Sequence, residues 1–236
     1  MVMLPAVYYA SGLAKEKVIV SGDFRQLSPI VPTEQAAIQE LIGSDVFQAA
    51  GITEAVKAQK APKRTVMLTD QYRMNDAICR MISGRMYAGR LKTQIQSRVG
   101  MPSPPPPFGG SLTVIDTSPI QPFVNKHGSS RYNLMNALAV RNLARHFQET
   151  GFFPATAGGS DEQGNLGICT PFAAQRDVLK RLTSGSGVIV GTVHRYQGDE
   201  RAAMIIDVPD SLGERYVSRF AQAGRPEDDG CKLFNV

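Results

Sequence analysis

Short β-branched runs alternate with amphipathic stretches along this 236-residue chain, and that alternation restricts its fold more than any other feature. Lys17–Ser21, Thr65–Thr69, Leu112–Asp116, Leu166–Thr170, Val188–Val190 and Ala202–Val208 each read as a strand, being short, apolar and bounded by turn-forming or polar residues. Between them lie helix-like segments: residues 4–14, two short helices within residues 34–58, Asn75–Met86, Asn133–Glu149, and a helix that Pro171 opens and Leu182 closes. Apolar strands joined through helices predict a mostly parallel sheet covered on both faces, the α/β class.

Sheets of this kind bind ligands beyond the carboxyl ends of their strands, so the residues that follow each strand carry the chemistry. Gly22-Asp23-Phe24-Arg25-Gln26-Leu27-Ser28-Pro29 follows the first, and Asp70-Gln71-Tyr72-Arg73-Met74-Asn75 the second. Thr170-Pro171-Phe172-Ala173-Ala174-Gln175 and Thr192-Val193-His194-Arg195-Tyr196-Gln197-Gly198-Asp199-Glu200 close two later ones. A flat aromatic beside a guanidinium at a strand-to-helix junction suits a nucleotide: Tyr72 can stack on a base while Arg73 reaches a phosphate. Asp23 reads equally well as a cap on its own turn. Tyr196 and Phe172 read as packing residues rather than base platforms, and Asp199 carries no assigned role.

Composition excludes several classes. Hydrophobic residues make up 42% and charged residues 20%, an ordinary globular balance, and no apolar run approaches the roughly 20 residues that span a bilayer. The net charge of +5 permits a polyanionic partner. Cys79, Cys169 and Cys231 are scattered and His127, His146 and His194 form no ligand pair, so reduced cysteines, a cytoplasmic setting and no zinc site are expected. The prolines at 102 and 104–107 read as a stiff connecting loop, and residues 157–165 and 209–230 as polar surface excursions.

The four blocks stand in a fixed order, and together they resemble superfamily 1 helicases, specifically the group containing the nonsense-mediated decay RNA helicase and the replication helicase-nucleases. The resemblance covers nearly the whole chain. It implies a RecA-like, P-loop NTPase type fold in which two domains clamp ATP, with Mg2+, between them. Residues 1–62 would be the carboxyl-terminal part of an incomplete first RecA-like domain, and residues 63–236 a second. The implied roles follow residue by residue. Gln26 would sense the γ-phosphate and the attacking water, and Arg73 would contact the γ-phosphate from across the cleft. Tyr72 would stack on adenine, Glu200 would accept from the ribose hydroxyls, and Gly198 would let backbone approach the nucleotide. Thr170, Pro171, Thr192 and His194 would face the backbone of single-stranded DNA or RNA. Phosphoryl transfer needs positioned positive charge more than covalent help, so these residue types make chemical sense.

Two parts of that family's machinery have no counterpart here. No glycine in the chain is followed by lysine, so there is no Gly-x-x-x-x-Gly-Lys-Ser/Thr phosphate cradle. Asp161-Glu162 lies in a glycine-rich stretch without a strand before it and does not supply the magnesium-holding carboxylate pair. The chain therefore reads as a piece running from just after helicase motif II to just before motif VI, part of an ATP-dependent helicase but inactive alone. The alternative is a non-catalytic module of RecA-like fold that binds nucleic acid or a protein.

Overall fold

The computed structural model describes residues 4–26, 35–58, 60–94, 104–152 and 165–211. Leu27–Pro29, the loop at 157–164, the decoy Asp161-Glu162, Cys231 and most of the 209–230 excursion lie outside the described residues. The chain divides into two compact units between Leu68 and Thr69; Pro62, where the sequence predicts the break, lies a few residues earlier.

The first unit is helical in its described residues: α1 Leu4–Gly12, α2 Ala36–Gly43, α3 Val46–Ala49 and α4 Ile52–Lys57. Asp45 starts α3 by accepting hydrogen bonds from the Phe47 and Gln48 amides at 2.7 and 3.0 Å, which satisfies two of the donors a helix start leaves open. The run Lys17–Ser21 corrects the sequence reading. It forms no strand, and Ile19 is 92% exposed. A β-branched run becomes a strand only when a neighbour completes its backbone hydrogen bonds, and none of the described residues of this unit does so.

The second unit is mixed α/β. β1 Asp70–Gln71 and β2 Lys92–Thr93 pair in parallel across α5 Asp76–Met86, a short β-α-β turn of chain. A hairpin follows, β3 Asn125–His127 antiparallel to β4 Ser130–Tyr132, then α6 Leu134–Glu149. The main sheet is parallel throughout: β5 Leu166–Thr170 lies between β6 Ile189–Thr192 and β7 Ala203–Ile206, with α7 Ala173–Leu182 crossing from β5 to β6. These mostly parallel strands and covering helices are consistent with a RecA-like P-loop NTPase fold.

Every residue of β5 is buried, as a central strand in a covered sheet requires. Leu166 and Ile168 meet Ala137, Val140, Ala144 and Phe147 of α6, Leu179 of α7 and Val190 of β6 in one apolar cluster. The α6 residues recur at helical spacing, which is why a single helix face can fill the layer. Two further strands of the sequence reading are corrected here. Thr65–Thr69 contains no strand, pairing beginning only at Asp70, and Leu112–Asp116 is unpaired, with Val114 88% exposed. The β3–β4 hairpin is a feature the sequence reading missed.

Candidate nucleotide and nucleic-acid site

The turn at 71–74 is built by one side chain. Gln71 accepts at Oε1 from the Arg73 and Met74 amides, at 2.9 and 2.6 Å. Its Nε2 donates to the Met74 carbonyl at 2.9 Å and to Thr93 Oγ1 at 2.6 Å. Because β1 ends at Gln71 and β2 at Thr93, that amide locks the turn to the paired strands beneath it. Asn75 then caps α5, its Oδ1 accepting from the Ala77 amide at 3.1 Å. Neither neighbour of Gln71 is buried by this arrangement. Tyr72 is 65% exposed, and Arg73 stands clear of the surface. A rigid turn thus presents a ring and a guanidinium to solvent. Gln71 is a turn-building residue that the sequence reading quoted without giving it a task.

The second stretch reaches the same place from 127 residues away. β6 ends at Thr192, a 3₁₀ turn runs Val193–Tyr196, and Gly198 takes φ +81° before Glu200. Only a glycine adopts that backbone without strain, and nothing lies within 4 Å of where its Cβ would be. Asp199 accepts from the Glu200 amide at 2.8 Å and from Arg201 Nη2 at 2.7 Å, so it shapes the bend that presents Glu200. The Glu200 carboxylate then lies 3.4 Å from Arg73 Nε. Both partners are more than half exposed, so the pair contributes only about 0–1 kcal/mol and opens readily for a ligand.

The remaining residues sit at the carboxyl edge of the main sheet. Thr170 and Thr192 are register partners at the ends of β5 and β6. Thr170 is fully buried, and its Oγ1 has no hydrogen-bond partner. Pro171 and Thr192 are half-buried, and His194 is exposed. Tyr196 and Phe172 are both buried, the packing role expected of them. The Tyr196 hydroxyl donates to the Ile168 carbonyl at 3.2 Å and accepts from the Ile168 amide at 3.1 Å. Burial pushes its ionisation well above the ordinary tyrosine range, and pushes the Cys169 thiol up to about 12. That cysteine is chemically inert at neutral pH.

Behind this edge lies a polar core that sequence reasoning missed. Gln175, wholly buried on α7, accepts from the Asn133 amide at 2.7 Å, donates to the Asn133 carbonyl at 3.2 Å and donates to Asp207 Oδ2. Asn133 in turn caps α6 through the Asn136 amide at 3.1 Å, and Asn136 donates to the Val208 carbonyl at 3.2 Å. Burial raises the Asp207 carboxyl to about 6, against the lowering effect of the Gln175 and Asn136 amides. One signal was available: a glutamine three residues into an apolar-faced helix, where a core position should be apolar.

Gln26 belongs to the first unit. Its Nε2 donates to Asp23 Oδ2 at 3.2 Å, while Asp23 Oδ1 accepts from the Arg25 amide at 3.0 Å. Asp23 therefore does cap its turn, and it holds Gln26 at the surface.

Of the groups the resemblance implies, a nucleotide would find here an exposed ring, an exposed guanidinium, a carboxylate and an open left-handed glycine. Among the described residues, no group of three or more His, Cys, Asp or Glu could hold a metal ion. No helix among the described residues is long and apolar enough to cross a membrane.

Comparison with known proteins bears on the same stretch. Residues 51–222 match the AAA domain family. The chain is 25% identical over 215 residues to the 3'-5' exoribonuclease HELZ2 of Mus musculus, an alignment covering 86% of this chain and 6% of that protein. It is 24% identical to the regulator of nonsense transcripts 1 homolog of Neurospora crassa, covering 86% of this chain and 18% of that one. With the DNA replication ATP-dependent helicase/nuclease dna2 of Schizosaccharomyces pombe the figures are 26%, 81% and 14%. The chain thus spans less than a fifth of the length of these relatives. Proteins of this kind are typically ATP-hydrolysing enzymes. With the family matched across most of its length and its mostly parallel sheet in place, this chain belongs to the AAA domain family as a superfamily-1-like helicase/NTPase domain.

Proposed function

We propose that the chain is part of an ATP-dependent nucleic-acid helicase or translocase, and that its second unit supplies one wall of the ATP cleft and part of the single-strand track. The observation that carries this reading is the meeting of Arg73 with Glu200 at 3.4 Å beside the exposed Tyr72 ring. Two blocks far apart in sequence, each expected to touch the same nucleotide, meet here. The turn held by Gln71 keeps Tyr72 and Arg73 pre-oriented, which lowers the entropy lost on binding. Arg73 then leaves Glu200 for a phosphate, and the freed carboxylate accepts from ribose hydroxyls. ATP brings the phosphoanhydride whose cleavage drives the motor, and Arg73 supplies the positive charge that stabilises it in transit. Gln26 lies in the first unit, which we read as the incomplete end of a first RecA-like domain, and its role would be to sense the γ-phosphate. Thr192, His194 and Pro171 form the track, and Thr170, fully buried at the end of β5, would join it only if that edge opens. Hydroxyls and backbone groups rather than base readers suit a motor that steps along any sequence.

The chain by itself lacks the lysine-bearing phosphate cradle, and it should turn over no ATP above background. Robust hydrolysis stimulated by nucleic acid would overturn that statement. The reading as a whole is tested by photo-labelling the purified chain with an azido-adenine nucleotide. Labelling should map to the peptide containing Tyr72, be competed by ATP, and fall in Arg73→Ala and Glu200→Gln. Oligonucleotide binding without any ATP-competed labelling would instead support a non-catalytic binding module.

A further inference from the structure

We infer that Asp199, acting through the Glu200 amide, is the positioning residue that makes this site select nucleotides carrying ribose hydroxyls. This rests on the reading of Glu200 as the carboxylate that accepts from the ribose.

The loop that carries Glu200 is anchored from below. The buried Tyr196 hydroxyl accepts from the Ile168 amide at 3.1 Å and lies within hydrogen-bonding distance of the Ile168 and Ile189 carbonyls. It thereby ties the 3₁₀ turn to β5 and β6 at once. A Cβ on Gly191 would come within 2.6 Å of Arg195 Cγ and 3.1 Å of the Tyr196 ring, so the turn folds back closely on β6. The Asp199 amide donates to the Tyr196 carbonyl at 3.0 Å. That bond closes the bend around Gly198 with backbone alone, and β7 begins at Ala203.

The Asp199 carboxylate is not needed to turn the chain, and its two oxygens go to the residues on its carboxyl side. Oδ1 accepts from the Glu200 amide at 2.8 Å, and Oδ2 accepts from Arg201 Nη2 at 2.7 Å. The Arg201 side chain is only 11% exposed and that of Asp199 27%, so the pair is better shielded from water than an open surface pair. Two consequences follow for Glu200. Its backbone is held at the amide, and the negative charge next to it, which would repel its carboxylate, is offset by Arg201. The Glu200 carboxylate then meets Arg73, the neighbour in sequence of the exposed Tyr72. A hydrogen bond from a hydroxyl to a carboxylate is directional, so it gains from a carboxylate whose backbone is already fixed. A loosely held Glu200 would keep its charge and lose that alignment. Arg73 and Tyr72 are held by Gln71 and would keep their contacts to phosphate and base, which confines the defect to the sugar.

The test is competition of azido-adenine labelling of the full 236-residue chain by ATP and by 2′,3′-dideoxy-ATP, which lacks both hydroxyls. On the wild type, ATP should compete about tenfold better. Asp199→Ala should weaken competition by ATP to the level of the dideoxy nucleotide, whose own competition stays as in the wild type. Asp199→Asn keeps an acceptor for the Glu200 amide and should keep most of the preference. The inference is wrong if Asp199→Ala weakens both competitors equally, if it leaves the preference unchanged, or if Asp199→Asn is as poor as Asp199→Ala. Should Asp199→Ala show no cooperative thermal transition, Arg201→Met, which releases the far side of the carboxylate, takes its place. It should narrow the preference about threefold, and an unchanged preference overturns the inference. Glu200→Gln separates the two readings. If it abolishes the preference while Asp199→Ala keeps it, the ribose reading stands and the role of Asp199 is wrong. If ATP and its dideoxy analogue compete equally on the wild type, the ribose reading fails and takes the role of Asp199 with it, while the nucleotide site itself survives.

Discussion

The two halves of the candidate site are built on opposite plans. The 71–74 turn is a surface device: one glutamine locks four backbone and side-chain groups, and the functional side chains project into solvent. The edge at Thr170 and Thr192 rests on a buried polar core, in which Gln175, Asn133, Asn136 and Asp207 join two helices to the exit of β7. A surface turn can release and recapture a small ligand at little cost. A buried network resists deformation, because each broken bond leaves a polar group without water. On the proposed reading, the difference suits a nucleotide that must come and go and a track that must keep its shape under load.

Gln71→Ala should disturb the first plan most. It strands the Arg73 and Met74 amides, the Met74 carbonyl and the Thr93 hydroxyl, with an expected loss of about 2–4 kcal/mol in denaturant unfolding. Azido-nucleotide labelling should fall with it. Full stability together with undiminished labelling would show that the turn is not organised by Gln71.

The second plan predicts a pH signature. The Asp207 carboxyl is raised to about 6 from 3.8, so its contribution to stability is fully present below about pH 4 and is lost as pH rises through about 6. The expected loss across that window is on the order of 3 kcal/mol. Asp207→Asn should flatten the unfolding free energy between pH 4 and 7, and an unchanged slope in the variant would assign the dependence to another group.

Thr170 separates packing from contact. Its hydroxyl is buried and without a partner, so Thr170→Val should be neutral or stabilising by up to about 1 kcal/mol. A drop in oligonucleotide affinity at unchanged stability would show that the track opens to expose it. An unchanged affinity would confine the contact to Pro171, Thr192 and His194.

Arg73→Ala should have the smallest effect on folding, under about 1 kcal/mol, because its ion pair is exposed. Labelling by the nucleotide should nevertheless collapse. A variant losing stability and labelling together would place Arg73 in the scaffold.

Much of the second unit was legible as sequence. β5 came out at Leu166–Thr170, and α5 and α6 each one residue after their expected starts at Asn75 and Asn133, because these depend on local pattern and on groups a few residues apart. The candidate residues at 72, 73, 192, 194, 198 and 200 were named from motif order, and their roles stand as proposals. Lys17–Ser21 and Leu112–Asp116 failed as strands for one reason. Their β-branched composition states a preference that only a neighbouring strand can satisfy, and pairing is not a local property. The same limit applies to the interior. The amide of Gln71 reaches Thr93, Gln175 reaches Asn133 and Asp207, Ser130 caps a helix 44 residues away, and Arg73 meets Glu200. Sequence by itself determined which segments are apolar, where helices begin and which residue types stand at the strand ends, since those follow from short-range sterics and hydrogen bonding. Tertiary structure alone decided which of those segments found partners and which polar groups were buried together, because long-range contacts form only once the chain has folded and brought distant residues within bonding distance.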